Sequence, residues 1–308
     1  MTVEEVVVRM QDKRYLLEMG RGKLSRMFKC EKEDITEAKR IVKGSEIRDT
    51  KKPRLLFLDI ETAPTKAWCF GLWDQNISID AIASNWFILA WSAKFADKDG
   101  VMSQVLTGDE VLHEDDNRIV TTLWMLLNQV DIVCGHNIEK FDVPKIRTRF
   151  LINGLPPTKP FLFIDTLKIA RKEFGFSSNK LDYIADILGI DRKMKTGMEL
   201  WVKCMSGDEE SLKYMEEYNR KDVLISEQVY YKMRPFIKTH ANFNLWSDSL
   251  DPVCPHCGSK NLIEEKGFYP TQTALYPLHK CLDCGAISRE RKSAMPKEKT
   301  ILVSIPGR

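Results

Sequence analysis

The pattern of apolar and polar positions divides the chain into three stretches. Residues 1–50 carry apolar positions at helical spacing, with only Val6-Val7-Val8 open to either a helix or a strand. Residues 54–243 alternate short apolar runs with longer amphipathic segments, as strands and helices of one α/β domain would. From residue 251 onward a cysteine-rich module leads into a basic, proline-containing tail. Asp49-Thr50-Lys51-Lys52-Pro53-Arg54 reads as the linker between the first two stretches.

Inside the middle stretch, residues 54–60, 86–95 and 101–107 predict three strands, with Asp97-Lys98-Asp99-Gly100 turning the last two into a hairpin. A helix is expected over 119–128, a short buried strand over 132–135, and a helix with Pro144 in its first turn running to Phe150. Another strand follows at 161–164, then helices to about residue 234. This order predicts an α/β fold, a mixed sheet flanked by helices, with a helical domain at 1–50 before it and the cysteine module at 251–308 after it.

Composition adds limits. With 308 residues, 43% hydrophobic and 30% charged, the chain can bury a full core and is neither fibrous nor disordered. The longest nearly apolar stretch, residues 86–91, falls far short of the roughly 20 residues that cross a bilayer. The N-terminus has acids where a secretory signal has bases, so the expectation is a soluble, cytoplasmic protein with no membrane partner. A net charge of +3 permits a nucleic-acid partner without requiring one.

Four carboxylates carry the candidate chemistry. Asp59-Ile60-Glu61 closes the first strand, and alternation puts both acids on one face. Like charges side by side repel unless a cation lies between them, and hard oxygen donors suit Mg²⁺ or Mn²⁺. Solvated acids at an exposed strand end are the plain alternative. Asp142 stands between the fourth strand and the Pro144 helix, where α/β sites form, although a helix cap would use the same residue. Tyr218 and Asp222 are four apart and share one helix face, about 5–6 Å apart at Cβ. A core tyrosine beside a surface acid would look the same.

In this order and on these elements, the three segments resemble the exonuclease motifs of the DEDD superfamily of 3′-to-5′ exonucleases, which have a ribonuclease-H-like fold. The resemblance spans about residues 54–235. Residues 165–171 and 180–189 are similar to the stretch between the second and third motifs in exonuclease domains of family B DNA polymerases. Tyr218-x-x-x-Asp222 matches the tyrosine subclass; the histidine subclass has His-x-x-x-x-Asp, and position 217 is Glu. The resemblance implies a two-metal mechanism in which Asp59, Glu61, Asp142 and Asp222 hold two Mg²⁺ or Mn²⁺ ions and Tyr218 orients the attacking water. It also places Thr62 and Asn137 near the terminal nucleotide. The implied partner is a nucleic acid with a 3′ end, single-stranded DNA ahead of RNA, with proofreading or end-trimming free-standing or in trans to a polymerase or repair complex. Asp165 reads as a helix cap.

Eight cysteines in a non-secreted chain raise the question of metal. Cys254-x-x-Cys257 and Cys281-x-x-Cys284, each followed by Gly and separated by 23 residues, suit one closed tetrahedral zinc site. Redox pairs would not need two matched knuckles. The module resembles a zinc ribbon. Phe268, Tyr269 and Tyr276 near Lys280, Arg289, Arg291 and Lys292 could stack bases and meet phosphates, or the ribbon could only dock on the core. At the N-terminus, helices at 24–28 and 33–42 resemble a helix-turn-helix packed through Leu24, Phe28, Ile35 and Ala38, with Lys39, Arg40 and Lys43 facing phosphates. A small bundle packed through Leu24, Phe28, Ile35 and Ile41 is the alternative, and Glu31, Glu33, Asp34 and Glu37 weaken the DNA reading. Two functions compete: an exonuclease with two accessory modules, and a non-catalytic nucleic-acid-binding regulator. Four clustered acids would repel a phosphate without metal, which favours the enzyme.

Overall fold

The computed structural model describes residues 2, 5–6, 9–10, 19–44, 52–71, 73–190, 194, 196–247, 251–299 and 302. The chain forms two compact units, residues 1–50 and 51–308. In the first, α1 (Arg21–Phe28) and α2 (Lys32–Gly44) join at Lys29, which takes a left-handed conformation (φ 51°). Leu24, Phe28, Ile35 and Ala38 are buried together with Val6 and Met10, as the helical spacing requires. Lys39 donates to the Met19 carbonyl at 2.5 Å, and Asp34 accepts the Glu31 amide at 3.1 Å. The side chains of Glu37, Arg40, Ile41 and Lys43 lie outside the described residues, as do Val7 and Val8.

The second unit is built on five strands: β1 (Leu55–Thr62), then, after the small β2 (Lys66–Ala67) and β3 (Ile82–Ser84) pair, β4 (Ile88–Phe95), β5 (Met102–Val105), β6 (Ile132–Gly135) and β7 (Leu162–Asp165). Their order is β5-β4-β1-β6-β7, antiparallel across β5, β4 and β1 and parallel across β1, β6 and β7. The expected mixed sheet is therefore present, with β1 at its centre. Between β2 and β3, Trp68, Phe70 and Trp73 are exposed. Helices α3 (Gly108–Leu112), α4 (Asn117–Leu127), α5 (Asp142–Ile152), α6 (Thr166–Glu173), α7 (Leu181–Ile187) and α8 (Met198–Cys204) lead to the 25-residue α9 (Glu209–Met233).

Helix α9 is capped by Asp208, whose carboxylate accepts the Ser211 amide at 2.9 Å. Its buried stripe covers one face of the sheet: Val223, Val229, Tyr230 and Met233 join Leu55 and Phe57 of β1 and Ile132 and Cys134 of β6 in one core. Lys94 of β4 and Glu227 of α9 form a buried ion pair at 2.6 Å inside this packing. Gly135, at the end of β6, is required by proximity: a Cβ there would lie 2.8 Å from the Leu58 carbonyl oxygen. The described residues contain no helix long and apolar enough to cross a membrane.

The cysteine module contains β8 (Leu262–Pro270), β9 (Leu275–Cys281) and β10 (Ile287–Arg289), an antiparallel sheet ordered β10-β9-β8. It docks on the end of α9. His256 donates from Nδ1 to the Arg234 carbonyl at 3.0 Å, and the Phe243 amide donates to the Pro255 carbonyl at 2.8 Å. The His256 ring stacks on His240, centroids 4.7 Å apart. Because the Ala241 carbonyl can only accept, His240 Nδ1 carries the proton and Nε2 accepts from the Tyr230 hydroxyl at 2.9 Å.

Candidate active site

The site follows from the alternation of β1. Leu55 and Phe57 face α9 in the core, so the same row continues as Asp59 and then Glu61, where the strand runs out from under the apolar cover. Across from them, the helical repeat brings Tyr218, Asn219 and Asp222 to the buried face of α9. The carboxylates of Asp59, Glu61 and Asp222 converge, with one oxygen from each within 4.8 Å of the others. Asn219 donates from Nδ2 to Asp59 Oδ2 at 2.6 Å and so fixes that carboxylate. Just past the acids the β1–β4 register shifts, with Leu89 of β4 as the extra residue and Thr62 paired with Ile88.

Asp142 sits outside this group of three. It is 3% exposed and its Oδ1 accepts the Ile60 amide at 3.2 Å, which brings it to β1 between the two strand acids. Phe141, not Asp142, occupies the cap position of α5, so the helix-cap use of Asp142 is not realised. Burial, helped by the nearby Asp165, outweighs the Ile60 amide and Lys145 and leaves the Asp142 carboxyl pushed up to about 7. Lys145 itself lies over the Trp86 ring at 3.9 Å from its centroid. Asp165 is the cap of α6, accepting from the Leu167 and Lys168 amides, and it also accepts from the Asn137 and Glu139 amides at 3.1 and 3.3 Å. One carboxylate thus holds the second-motif loop, where Asn137 takes a left-handed conformation (φ 71°).

Of these residues, Asp59, Asn137, Tyr218 and Asp222 line a cleft of about 1130 Å³. Asp59, Tyr218 and Asp222 form one wall with Asn137, and Arg171, Lys180 and Tyr183 stand on the wall made by α6 and α7. Tyr218 is buried edge-on against Trp201 of α8, ring centroids 6.3 Å apart, which fixes where its phenol can point.

Three hard oxygen donors at this separation fit a divalent cation of the Mg²⁺ or Mn²⁺ type. The second cluster has different chemistry. The sulfurs of Cys254, Cys257, Cys281 and Cys284 lie within 4.8 Å of one another, with Cys254–Cys284 at 3.6 Å and Cys257–Cys281 at 3.7 Å. Ligand bonds of about 2.3 Å to a tetrahedral zinc give sulfur–sulfur edges of roughly 3.8 Å, so the cluster has the size zinc needs. Gly258 (φ 72°) and Gly285 (φ 75°) close the two knuckles with matching amide bonds to the Cys254 and Cys281 carbonyls. His256 and His279 are engaged elsewhere, the latter with Glu290 at 2.9 Å.

The family model for the RNase H superfamily matches residues 56–234, from the second residue of β1 to just past the end of α9. The chain belongs to the RNase H superfamily. No curated protein matches it. Membership suggests a nuclease, a hydrolase of phosphodiester bonds, and RNase H-like nucleases use divalent metals, for which the acidic triad is compatible. Within the superfamily frame, sequence reasoning missed Asn219 and the double duty of Asp165. Asn219 could have been found, since it lies three residues before Asp222 on the same helix. The grip of Asp165 on residues 28 and 26 positions away carries no periodic signal.

Proposed function

We propose that this protein is a metal-dependent 3′-to-5′ exonuclease of the tyrosine DEDD type, acting on the 3′ end of single-stranded DNA ahead of RNA. The observation that carries the reading is the convergence of Asp59, Glu61 and Asp222, the first and last of which line a cleft that also presents Tyr218, Arg171 and Lys180. Divalent cations held there would supply Lewis acidity, activating a water and offsetting negative charge that develops on the phosphate. Asp59, Glu61 and Asp222 would hold one ion, which leaves the Asp142 carboxylate to serve a second. Asn219 keeps Asp59 in its ligating rotamer. Tyr218 orients the attacking water through its hydroxyl, and Arg171 and Lys180 hold the polyanion against the opposite wall. Thr62 and Asn137 meet the terminal nucleotide. The water oxygen bonds to phosphorus, the bond to O3′ of the penultimate residue breaks, and that O3′ takes a proton as a nucleoside 5′-monophosphate departs.

In this reading the four cysteines hold one structural zinc, the C-terminal module is a zinc ribbon, and the N-terminal helix pair is a helix-turn-helix-like accessory module. The test uses 5′-labelled single-stranded DNA and RNA of one sequence, with and without Mn²⁺ or Mg²⁺, beside Asp59→Ala and Asp222→Ala proteins. A metal-dependent ladder shortening from the 3′ end, absent in both variants, is expected. Binding without cleavage, or cleavage that survives both substitutions, would overturn the reading and leave a non-catalytic binding protein.

A further inference from the structure

The outer face of the ribbon sheet carries an arrangement that folding does not require. Tyr269 of β8 and Tyr276 of β9 are directly paired across the ladder, and the Arg289 guanidinium of β10 lies 4.2 Å from the Tyr276 centroid and 5.7 Å from that of Tyr269. Arg289 and Tyr269 are exposed, β8 is open to solvent over most of its length, and no carboxylate among the described residues pairs with Arg289. Glu290 is occupied by His279, while Glu265 shares the Arg289 row with β9 between them, and the irregularity at residues 266–267 separates that row on β8 from Tyr269. The tyrosine end of the face thus combines two aromatic rings with a cation.

The face is joined to the catalytic cleft. Lys238 pairs with Glu173 at 2.9 Å and also interacts electrostatically with Tyr269. Glu173 is the last residue of α6, the helix whose Leu167 and Arg171 line the cleft. Lys172 and Lys238 both pair with Glu173, so Lys238 sits between α6, whose Arg171 lines the cleft, and Tyr269 of the ribbon. The ribbon is held there by the His256–Arg234 and Phe243–Pro255 hydrogen bonds, which makes it a fixed platform.

We propose that the Tyr269–Tyr276–Arg289 face grips the single-stranded tract 5′ of the nucleotide in the cleft, so that the protein prefers strands long enough to occupy both. This rests on the exonuclease reading for the strand's direction. Bases stack on the tyrosine rings, Arg289 adds a cationic partner for base or phosphate, and the lysines meet the backbone, an arrangement that tolerates any sequence. The occupant is a single strand, because a duplex hides the base faces that tyrosine rings would stack on.

The experiment measures anisotropy of 5′-fluorescein oligodeoxythymidylates of about 4 and about 16 nucleotides, bracketing the reach of one stacking platform. The full chain carrying Asp222→Ala is used with Ca²⁺, and cleavage by the chain with Asp222 intact is followed in parallel with Mn²⁺. The long strand is expected to bind more tightly than the short one. Tyr269→Ala and Tyr276→Ala should each cut the long-to-short affinity ratio about tenfold. Arg289→Ala, at an exposed position, should cut it severalfold, and Tyr269→Phe with Tyr276→Phe should preserve it. An unchanged ratio in the alanine variants, or equal losses on both lengths, would overturn the inference. Length-dependent binding through this face with no cleavage in Mn²⁺ would remove the exonuclease reading alone.

Discussion

The Lys94–Glu227 pair ties the helix that carries Asp222 to the strand beside Asp59, and its energetics can be worked from the structure. Both side chains are about nine-tenths buried and their charged atoms lie 2.6 Å apart. At an effective dielectric of about 20, that separation is worth roughly 6 kcal/mol of attraction. Removing two ions from water costs several kcal/mol each, so the intact pair contributes close to nothing in net terms. Its loss by halves is different. Lys94→Met leaves Glu227 as an uncompensated buried anion, and the expected cost is about 3–5 kcal/mol. For a unit of this size each kcal/mol moves Tm by about 2–4 °C, so the variant should melt roughly 6–20 °C lower. Glu227→Leu alone should cost about as much, whereas the double variant should recover most of the loss because no orphan charge remains. Thermal melts by circular dichroism on the four proteins close the cycle. Single variants within about 1 kcal/mol of the parent, or a double variant as unstable as the sum of its parts, would refute the argument.

Asn219→Ala should lower kcat about tenfold or more, with a matching rise in the Mn²⁺ concentration needed for half-maximal rate, because a hydrogen bond to a charged group is worth about 1.5–3 kcal/mol; unchanged metal dependence would exclude a positioning role. His240 should make the fold acid-sensitive: burial, helped by its neighbour His256, lowers it from 6.5 to about 4. A lowered histidine contributes stability that is complete above pH 6.5 and is lost as pH falls toward 4, about 3 kcal/mol in all. Melts between pH 7 and pH 4 should show that slope, and His240→Phe should flatten it. Gly108→Ala should cost about 1–3 kcal/mol, since its Cβ would lie 2.4 Å from the Gly207 carbonyl oxygen, a backbone atom that cannot swing aside; a melt within experimental error of the parent would contradict this contact.

Much of the sheet was legible because its central strands are mostly apolar and bounded by polar turns, and β4 is buried at every position. The acids of β1 and the Tyr218–Asp222 pair were legible because each sits at the period of its own element, two in a strand and four in a helix. The cysteine knuckles were legible from spacing alone. What escaped were contacts whose partners lie far apart in sequence and obey no repeat. The shift after Glu61 arises in the partner strand, where Leu89 is the extra residue. Lys39, expected to face phosphate, donates to the Met19 carbonyl. The docking of the ribbon turns on His256, whose bond to the Arg234 carbonyl at the end of α9 joins residues 22 apart with no repeat to announce it.

The bond between Asn219 and Asp59 spans 160 residues, and that separation has a bearing on when the protein can first act. While the chain is being made, β1 emerges early with its two acids, and the helix that completes the site is among the last parts of the superfamily domain to appear. Closing so long a loop is slow, and until α9 docks, Asp59 and Glu61 are two like charges with neither Asp222 nor Tyr218 near them. On the proposed exonuclease reading, a half-made chain therefore lacks the assembled site with which to cut a strand beside it. On that reading, nuclease activity becomes a sign that the domain has finished folding, set by the order in which the site's acids leave the ribosome.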